Sequence, residues 1–83
     1  MFLVSNLKWL RRRRKRTQEE VAFALEMKRG TYSGYENGVG EPGIAKLLAV
    51  AQYYRISLDT LIKTDLRQLS EIAFRTLLLP ELT

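Results

Sequence analysis

The side chains in this chain that could do chemistry are suited to meeting a polyanion rather than to breaking a bond. The 83 residues include no histidine and no cysteine. That removes the commonest general base, the commonest metal ligand, every thiolate site and every disulfide. Ser33, Lys28 and Glu36 could be strung into a nominal active site, but no base is positioned to activate the hydroxyl. No catalytic residue, metal site or cofactor is assigned, and an enzyme is not expected. Cations are abundant instead: fourteen Lys and Arg against nine Asp and Glu give a formal charge of +5, and Arg11 to Arg16 are consecutive basic residues. Such clustering favours a polyanionic partner. A solvated face with snorkelling stems is the plainer account of the same run.

The elements that must position these residues read as helices. Leu3, Leu7 and Leu10 keep a helical period, so a first helix begins near Ser5 or before it and runs into the basic cluster, with Arg14 next on the stripe. Six consecutive residues at about 100° each go right around a helix, so part of the cluster must point inward. Thr17 followed three residues later by Glu20 is a capping box, which opens a second helix at about residues 17–25 with Val21, Ala22 and Leu25 as its apolar stripe. Tyr32 and Tyr35 give a third helix, about 28–36, a stripe of its own. If they face the core, Lys28, Arg29, Gly30, Ser33 and Gly34 lie opposite, with Asn37 at the end. A rotation of one position would turn Tyr32 outward and Gly34 inward. Pro42 and Gly43 suit the entrance to a fourth helix whose buried stripe is Ile44, Leu47, Leu48 and Ala51. Ser57 caps a short fifth helix carrying Leu58, Leu61 and Ile62. Over residues 65 to 79, Leu66, Leu69, Ile72, Ala73 and Leu77 fall mainly on one side of a further helix that Pro80 ends.

The pieces TQEEVA, YENG, the EP turn and SLDTLI, at these separations, resemble the repressor/Cro-like helix-turn-helix family, often called the XRE family. The likeness covers about residues 5 to 63. It implies an all-α fold, a five-helix helix-turn-helix domain over residues 1–63; outside that likeness, the apolar spacing adds a C-terminal amphipathic helix over 64–83 for docking or dimerisation. It also implies a sequence-specific transcriptional regulator, a repressor by the family's usual mode, that binds double-stranded DNA as a homodimer with its third helix as the recognition helix. The alternative is an antitoxin-like or adaptor module with an unknown protein partner. On this reading Arg29, Gly30, Ser33 and Gly34 meet bases, Arg29 being suited to a bidentate pair with guanine. Arg11, Arg12, Gln18, Lys28 and Asn37 meet phosphates. Arg11 also stands where the family pairs an arginine of the first helix with the glutamate of ENG, here Glu36. Trp9 and Phe23 fall at positions the family register makes exposed, and the expectation is that they receive Leu66, Leu69 and Ile72 of the C-terminal helix from the same chain or a partner.

Several residues depart from the family pattern. Gly30 and Gly34 stand where relatives often carry long polar side chains, and each glycine costs about 1 kcal/mol against alanine within a helix. Three accounts remain: close approach of the helix backbone to DNA, weak sequence readout, or a face that binds protein. Lys15, Glu26 and Arg55 stand where relatives commonly place glycine after helices 1, 2 and 4; if the backbone there remains left-handed, each non-glycine residue costs on the order of 1 kcal/mol. The loop Val39 to Glu41 lacks basic residues. The apolar MFLV precedes the basic cluster, the reverse of a secretory signal, and no stretch approaches the roughly 18 apolar residues of a membrane span. No membrane partner is expected, and the location by default is cytoplasmic.

Overall fold

Side-chain caps set the starts of α-helices at Thr17, Ser57 and Ser70 in the computed structural model, which describes residues 1–80. The elements in order are α1 (Leu3–Arg13), α2 (Gln18–Ala24), α3 (Arg29–Asn37), α4 (Ile44–Tyr54), α5 (Leu58–Lys63), a 3₁₀ turn (Leu66–Gln68) and α6 (Glu71–Arg75). Among the described residues every regular element is helical, so the fold is all-α. At the start of α2, the Glu20 amide donates to Thr17 Oγ1 at 3.0 Å and the Thr17 amide donates to Glu20 Oε1 at 2.9 Å, so two otherwise orphaned amides are satisfied reciprocally. Ser57 caps α5 by accepting from the Thr60 amide, and Ser70 caps α6 by accepting from the Ala73 amide.

The turns are tight because left-handed residues end the helices. Gly38 after α3 has φ 74°, the conformation that glycine adopts without a Cβ clash. Lys15, Glu26 and Arg55 adopt φ of 56°, 55° and 59° at the ends of α1, α2 and α4. Each costs about 1 kcal/mol, so tertiary contacts hold these turns against local preference.

The core draws on every helix: Leu7 and Leu10 of α1, Val21 and Ala22 of α2, Tyr32 of α3, Val50, Ala51 and Tyr54 of α4, Leu61 of α5, then Leu66 and Phe74. The stripe expected for α4 is rotated. Ile44 and Leu48 are exposed, whereas Val50, Ala51 and Tyr54 are buried and Leu47 half-buried. Both sets follow helical spacing, and the packing of Tyr54 and Val50 decides between them. Asn6, fully buried on α1, donates to the carbonyls of Leu61 (2.8 Å) and Thr64 (2.7 Å) and accepts from the Leu66 amide (3.1 Å). It thereby satisfies the end of α5 and the start of the 3₁₀ turn. Lys46 Nζ donates to the Leu25 carbonyl at 2.8 Å and ties α4 to the end of α2.

The C-terminal segment is not the single amphipathic helix expected over residues 65–79. Asp65 accepts from the Arg67 amide and closes a 3₁₀ turn, Leu69 is extended (φ −91°, ψ 142°), and Ser70 starts a new helix of five residues. Two capping side chains five residues apart thus outcompete a continuous helix, because each offers the backbone an alternative partner. The segment docks on its own chain. Phe74 is buried edge-on against Trp9, with ring centroids 5.0 Å apart and planes at 66°. The Arg13 guanidinium lies 4.4 Å from the Phe74 centroid and also pairs with Glu71. Trp9, which the family register would leave exposed, is therefore covered by the C-terminal segment of its own chain. Leu66 is buried and Leu69 half-buried, but Ile72 is 79% exposed and Phe23 87% exposed, so neither takes part in this docking. Beyond α6 the chain returns to α4: the Leu79 amide donates to the Arg55 carbonyl at 2.6 Å, and Arg55 Nε donates to the Leu79 carbonyl at 3.0 Å. Glu81 to Thr83, the end of the expected 64–83 segment, lie outside the described residues.

Candidate nucleic-acid interface

The basic run divides into inward and outward members, as a helix requires. Arg11 Nε and Nη2 donate to Glu36 Oε2 and Oε1 at 2.7 and 2.9 Å, and Nη1 donates to the Arg16 carbonyl at 3.1 Å. Arg14 Nη1 donates to the Tyr53 carbonyl at 2.9 Å, and its guanidinium lies 5.1 and 5.0 Å from the Tyr53 and Tyr54 ring centroids. Arg13 is placed over Phe74. Arg12, Lys15 and Arg16 face outward, with Arg16 in an exposed 3.3 Å pair with Glu20.

Glu36 is the buried centre of this arrangement. Burial alone would raise its carboxyl, but hydrogen bonding, led by Arg11, outweighs burial and holds it below the ordinary 4.5. Gln18 Nε2 also donates to Glu36 Oε1, at 3.2 Å. Two of the three residues expected as phosphate contacts on α1 and α2, Arg11 and Gln18, are thus turned toward an internal carboxylate, while Arg12 faces outward. A buried anion needs such donors. Beside this pair the Tyr32 and Tyr54 hydroxyls are buried and make no hydrogen bond among the described residues. Burial pushes both phenols up, Tyr54 to about 12.

The pair also fixes the register of α3. With Glu36 and Tyr32 buried and Tyr35 half-buried against the core, Lys28, Arg29, Gly30, Thr31 and Asn37 are exposed, and Ser33 and Gly34 are partly so. Gly34 does not point into the core, which excludes the one-position rotation. The side chains of Lys28 and Arg29 make no hydrogen bond or ion pair among the described residues, and Asn37 Nδ2 reaches Ser33 Oγ only at 3.4 Å. Thr31 joins this face without having been singled out from the sequence, although its position in the helix already placed it there.

The two glycines of α3 have no steric reason inside the protein. A Cβ at Gly30 would meet nothing within 4 Å, and one at Gly34 would meet only the Gly40 amide nitrogen at 3.8 Å, an ordinary contact. Neither has a positive φ. The loop after α3 presents exposed Val39 and Glu41 and contributes no cation.

With this geometry in place, comparison of the sequence with known families gives a match to the family described as helix-turn-helix over residues 7–61. The chain belongs to the XRE-type helix-turn-helix family. Its helix-turn-helix is α2, the Glu26 turn and α3, and the matched region ends within α5, before the 3₁₀ turn and α6. The chain is also similar to a protein of Bacillus subtilis (strain 168) named "Uncharacterized HTH-type transcriptional regulator YqaE", at 38% identity over 60 residues. That alignment covers 72% of this chain and 52% of the relative, so the chain spans about half the length of the protein it matches. No solved structure gives a significant match. Among the described residues no helix is long and apolar enough to cross a membrane, and no group of acidic side chains is clustered to hold a metal ion.

Proposed function

We propose that this helix-turn-helix protein is a DNA-binding transcriptional regulator, a repressor, that reads the major groove with α3 and acts as a homodimer. The observation that carries the reading is the exposed face of α3: a cationic, hydrogen-bonding surface whose Lys28 and Arg29 have no partner among the described residues, held in fixed register by Glu36 beneath it. Family membership and the regulator-named relative support it. Arg29 and Ser33 meet base edges, with Gly30 and Gly34 letting the groove approach the helix backbone. Lys28, Asn37 and Arg12 hold phosphates, while Arg11 and Gln18 act chiefly by fixing Glu36. Two such helices in a dimer would enter successive major grooves about 34 Å apart on a near-palindromic site.

The test is fluorescence anisotropy of the purified protein with duplex DNA from its own upstream region and with random duplex, across a salt series. Salt-sensitive binding that prefers one duplex by about 10³-fold or more supports a sequence reader. Equal affinity for both duplexes would reduce the protein to a phosphate-driven binder, and no binding at moderate salt would sink the DNA reading altogether.

A further inference from the structure

On a different side of the molecule from α3, the end of α4, the start of α5 and the returning Leu79–Pro80 segment enclose a groove of about 1120 Å³. Leu48, Tyr53, Leu58 and Leu79 line it with apolar surface, and Leu48 is 47% exposed, although the sequence pattern marked it for the core. Arg14, Arg16 and Arg55 stand around this floor, and no carboxylate lines it among the described residues. Two of the three arginines are already held in place: Arg14 by the Tyr53 carbonyl and the tyrosine rings, Arg55 by the Leu79 carbonyl. A guanidinium pinned through one N–H keeps its others in a fixed fork, and little side-chain entropy is then lost when it takes up a carboxylate. Arg55 holds this position at the cost of a left-handed backbone, φ 59°, where a glycine would be unstrained but would bring no cation.

We propose that this groove is a docking site for an acidic amphipathic segment of a partner protein, whose apolar side chains fill the Leu48–Leu58–Leu79 floor and whose carboxylates engage Arg14, Arg16 and Arg55. Charge complementarity selects the occupant: an apolar floor edged by three cations accepts Leu or Phe flanked by Asp or Glu and rejects a basic segment. The floor does not suit nucleic acid. Its aromatic ring, Tyr53, is engaged by Arg14 and by the Tyr54 edge at 4.8 Å, which leaves no open platform for a base. No residue of α3 lines the groove, so an occupant leaves the recognition face open and can act on the DNA-bound protein.

Titration of the isotope-labelled full chain, followed by NMR, tests this with two synthetic peptides that carry Leu at the same helical spacing. One has Glu at the flanking positions and the other Lys. The Glu peptide is expected to produce saturable shifts at Leu48, Tyr53, Leu58 and Leu79 and to leave α3 unmoved. Gln52→Glu, at an exposed groove residue, is expected to weaken it by about tenfold by setting a carboxylate beside those of the occupant, and Leu48→Glu by a similar factor by putting a charge into the floor that takes the occupant's apolar side chains. Absence of saturable shifts overturns the proposal, as does equal binding of the Lys peptide or a response centred on α3. Shifts of the groove residues on addition of duplex DNA alone would also overturn it, by assigning the arginines to phosphate. Gln52→Glu alters only a solvent-facing amide, so it remains informative even if Leu48→Glu disturbs the fold.

Discussion

Arg11 and Glu36 stand 25 residues apart in the chain and meet through two parallel hydrogen bonds of 2.7 and 2.9 Å, joining the last turn of α1 to the last turn of α3. The Glu36 side chain is fully buried and that of Arg11 is 14% exposed, so the fork is nearly closed to water. Removing one partner leaves an uncompensated charge inside. Arg11→Met and Glu36→Gln are each expected to destabilise by about 3 kcal/mol, whereas the double variant should recover part of that loss, because replacing both members of a buried pair is far less costly than breaking it. Chemical denaturation of the four proteins checks this. Strictly additive losses would mean that the pair is not the source of the effect.

The same carboxylate makes stability depend on pH. The folded Glu36 carboxyl sits below its ordinary 4.5, so the unfolded chain binds the proton more readily than the folded one. Its contribution is fully present above about pH 4.5 and is lost as pH falls through the lower folded value. Melting temperature measured from pH 7 downward should therefore drop in that acidic window, and Glu36→Gln should flatten the part due to this residue. An unchanged slope in the variant would place the acid sensitivity elsewhere, for instance on exposed Glu71, which the Arg13 guanidinium also holds low.

Much of the candidate site was legible in the residue pattern because it depends on short-range rules. Thr17 and Glu20 announce a capping box and form one; Tyr32 and Tyr35 place Arg29 and Ser33 on the opposite face of α3, and they lie there. The three turns at Lys15, Glu26 and Arg55 stood out because relatives place glycine there, but only the structure shows that the backbone stays left-handed at these side chains. What failed needed tertiary information. In α4, Ile44–Leu47–Leu48–Ala51 and Leu47–Val50–Ala51–Tyr54 are equally good helical stripes, and periodicity alone cannot choose between them. After α5, apolar spacing suggested one helix, although Asp65 and Ser70 carried the cap signal that divides it. Asn6 lies on the Leu3–Leu7–Leu10 stripe, but only the neighbouring chain ends at Leu61, Thr64 and Leu66 explain a buried amide there.

Trp9 and Phe23 should now behave differently, although the sequence grouped them. Trp9 packs on Phe74 and holds α6 to α1, so Trp9→Ala is expected to cost about 3 kcal/mol and to expose the C-terminal segment to protease. Phe23 projects into solvent at 87% exposure, so Phe23→Ser should leave stability within about 0.5 kcal/mol of the parent. Thermal melts and limited proteolysis of the two variants give the comparison. Equal destabilisation would contradict docking of the C-terminal segment in cis through Trp9 alone.

Base reading by Arg29 carries a separate expectation. Its exposed side chain has no partner among the described residues, so Arg29→Ala should leave the fold intact and should remove about 1 to 3 kcal/mol of discrimination at one base pair of the preferred site. Lys28→Ala, by contrast, should weaken all duplexes alike and reduce the salt slope by about one phosphate contact. Anisotropy on the preferred duplex and on single-base variants separates the two. If Arg29→Ala lowers affinity for every duplex equally, Arg29 is a phosphate contact and base selection lies with other residues of α3.

Gly30 and Gly34 give the sharpest test of close approach, because stability and binding should move in opposite directions. Both positions are helical, and a Cβ at either would meet at most an ordinary van der Waals contact. Alanine should therefore raise stability by about 1 kcal/mol at each site, through helix propensity. In the free protein these glycines are a cost without an internal return. If α3 lies deep in the major groove, the added methyl groups stand between the helix backbone and the base edges, and Gly30→Ala and Gly34→Ala should weaken binding to the preferred duplex while their melting temperatures rise. A protein that becomes more stable and binds DNA as well as before would show that the helix does not approach so closely, and that the bare face serves weak readout or another partner. A fall in stability would mean that a Cβ at these positions strains the free protein, against the room that both glycines have.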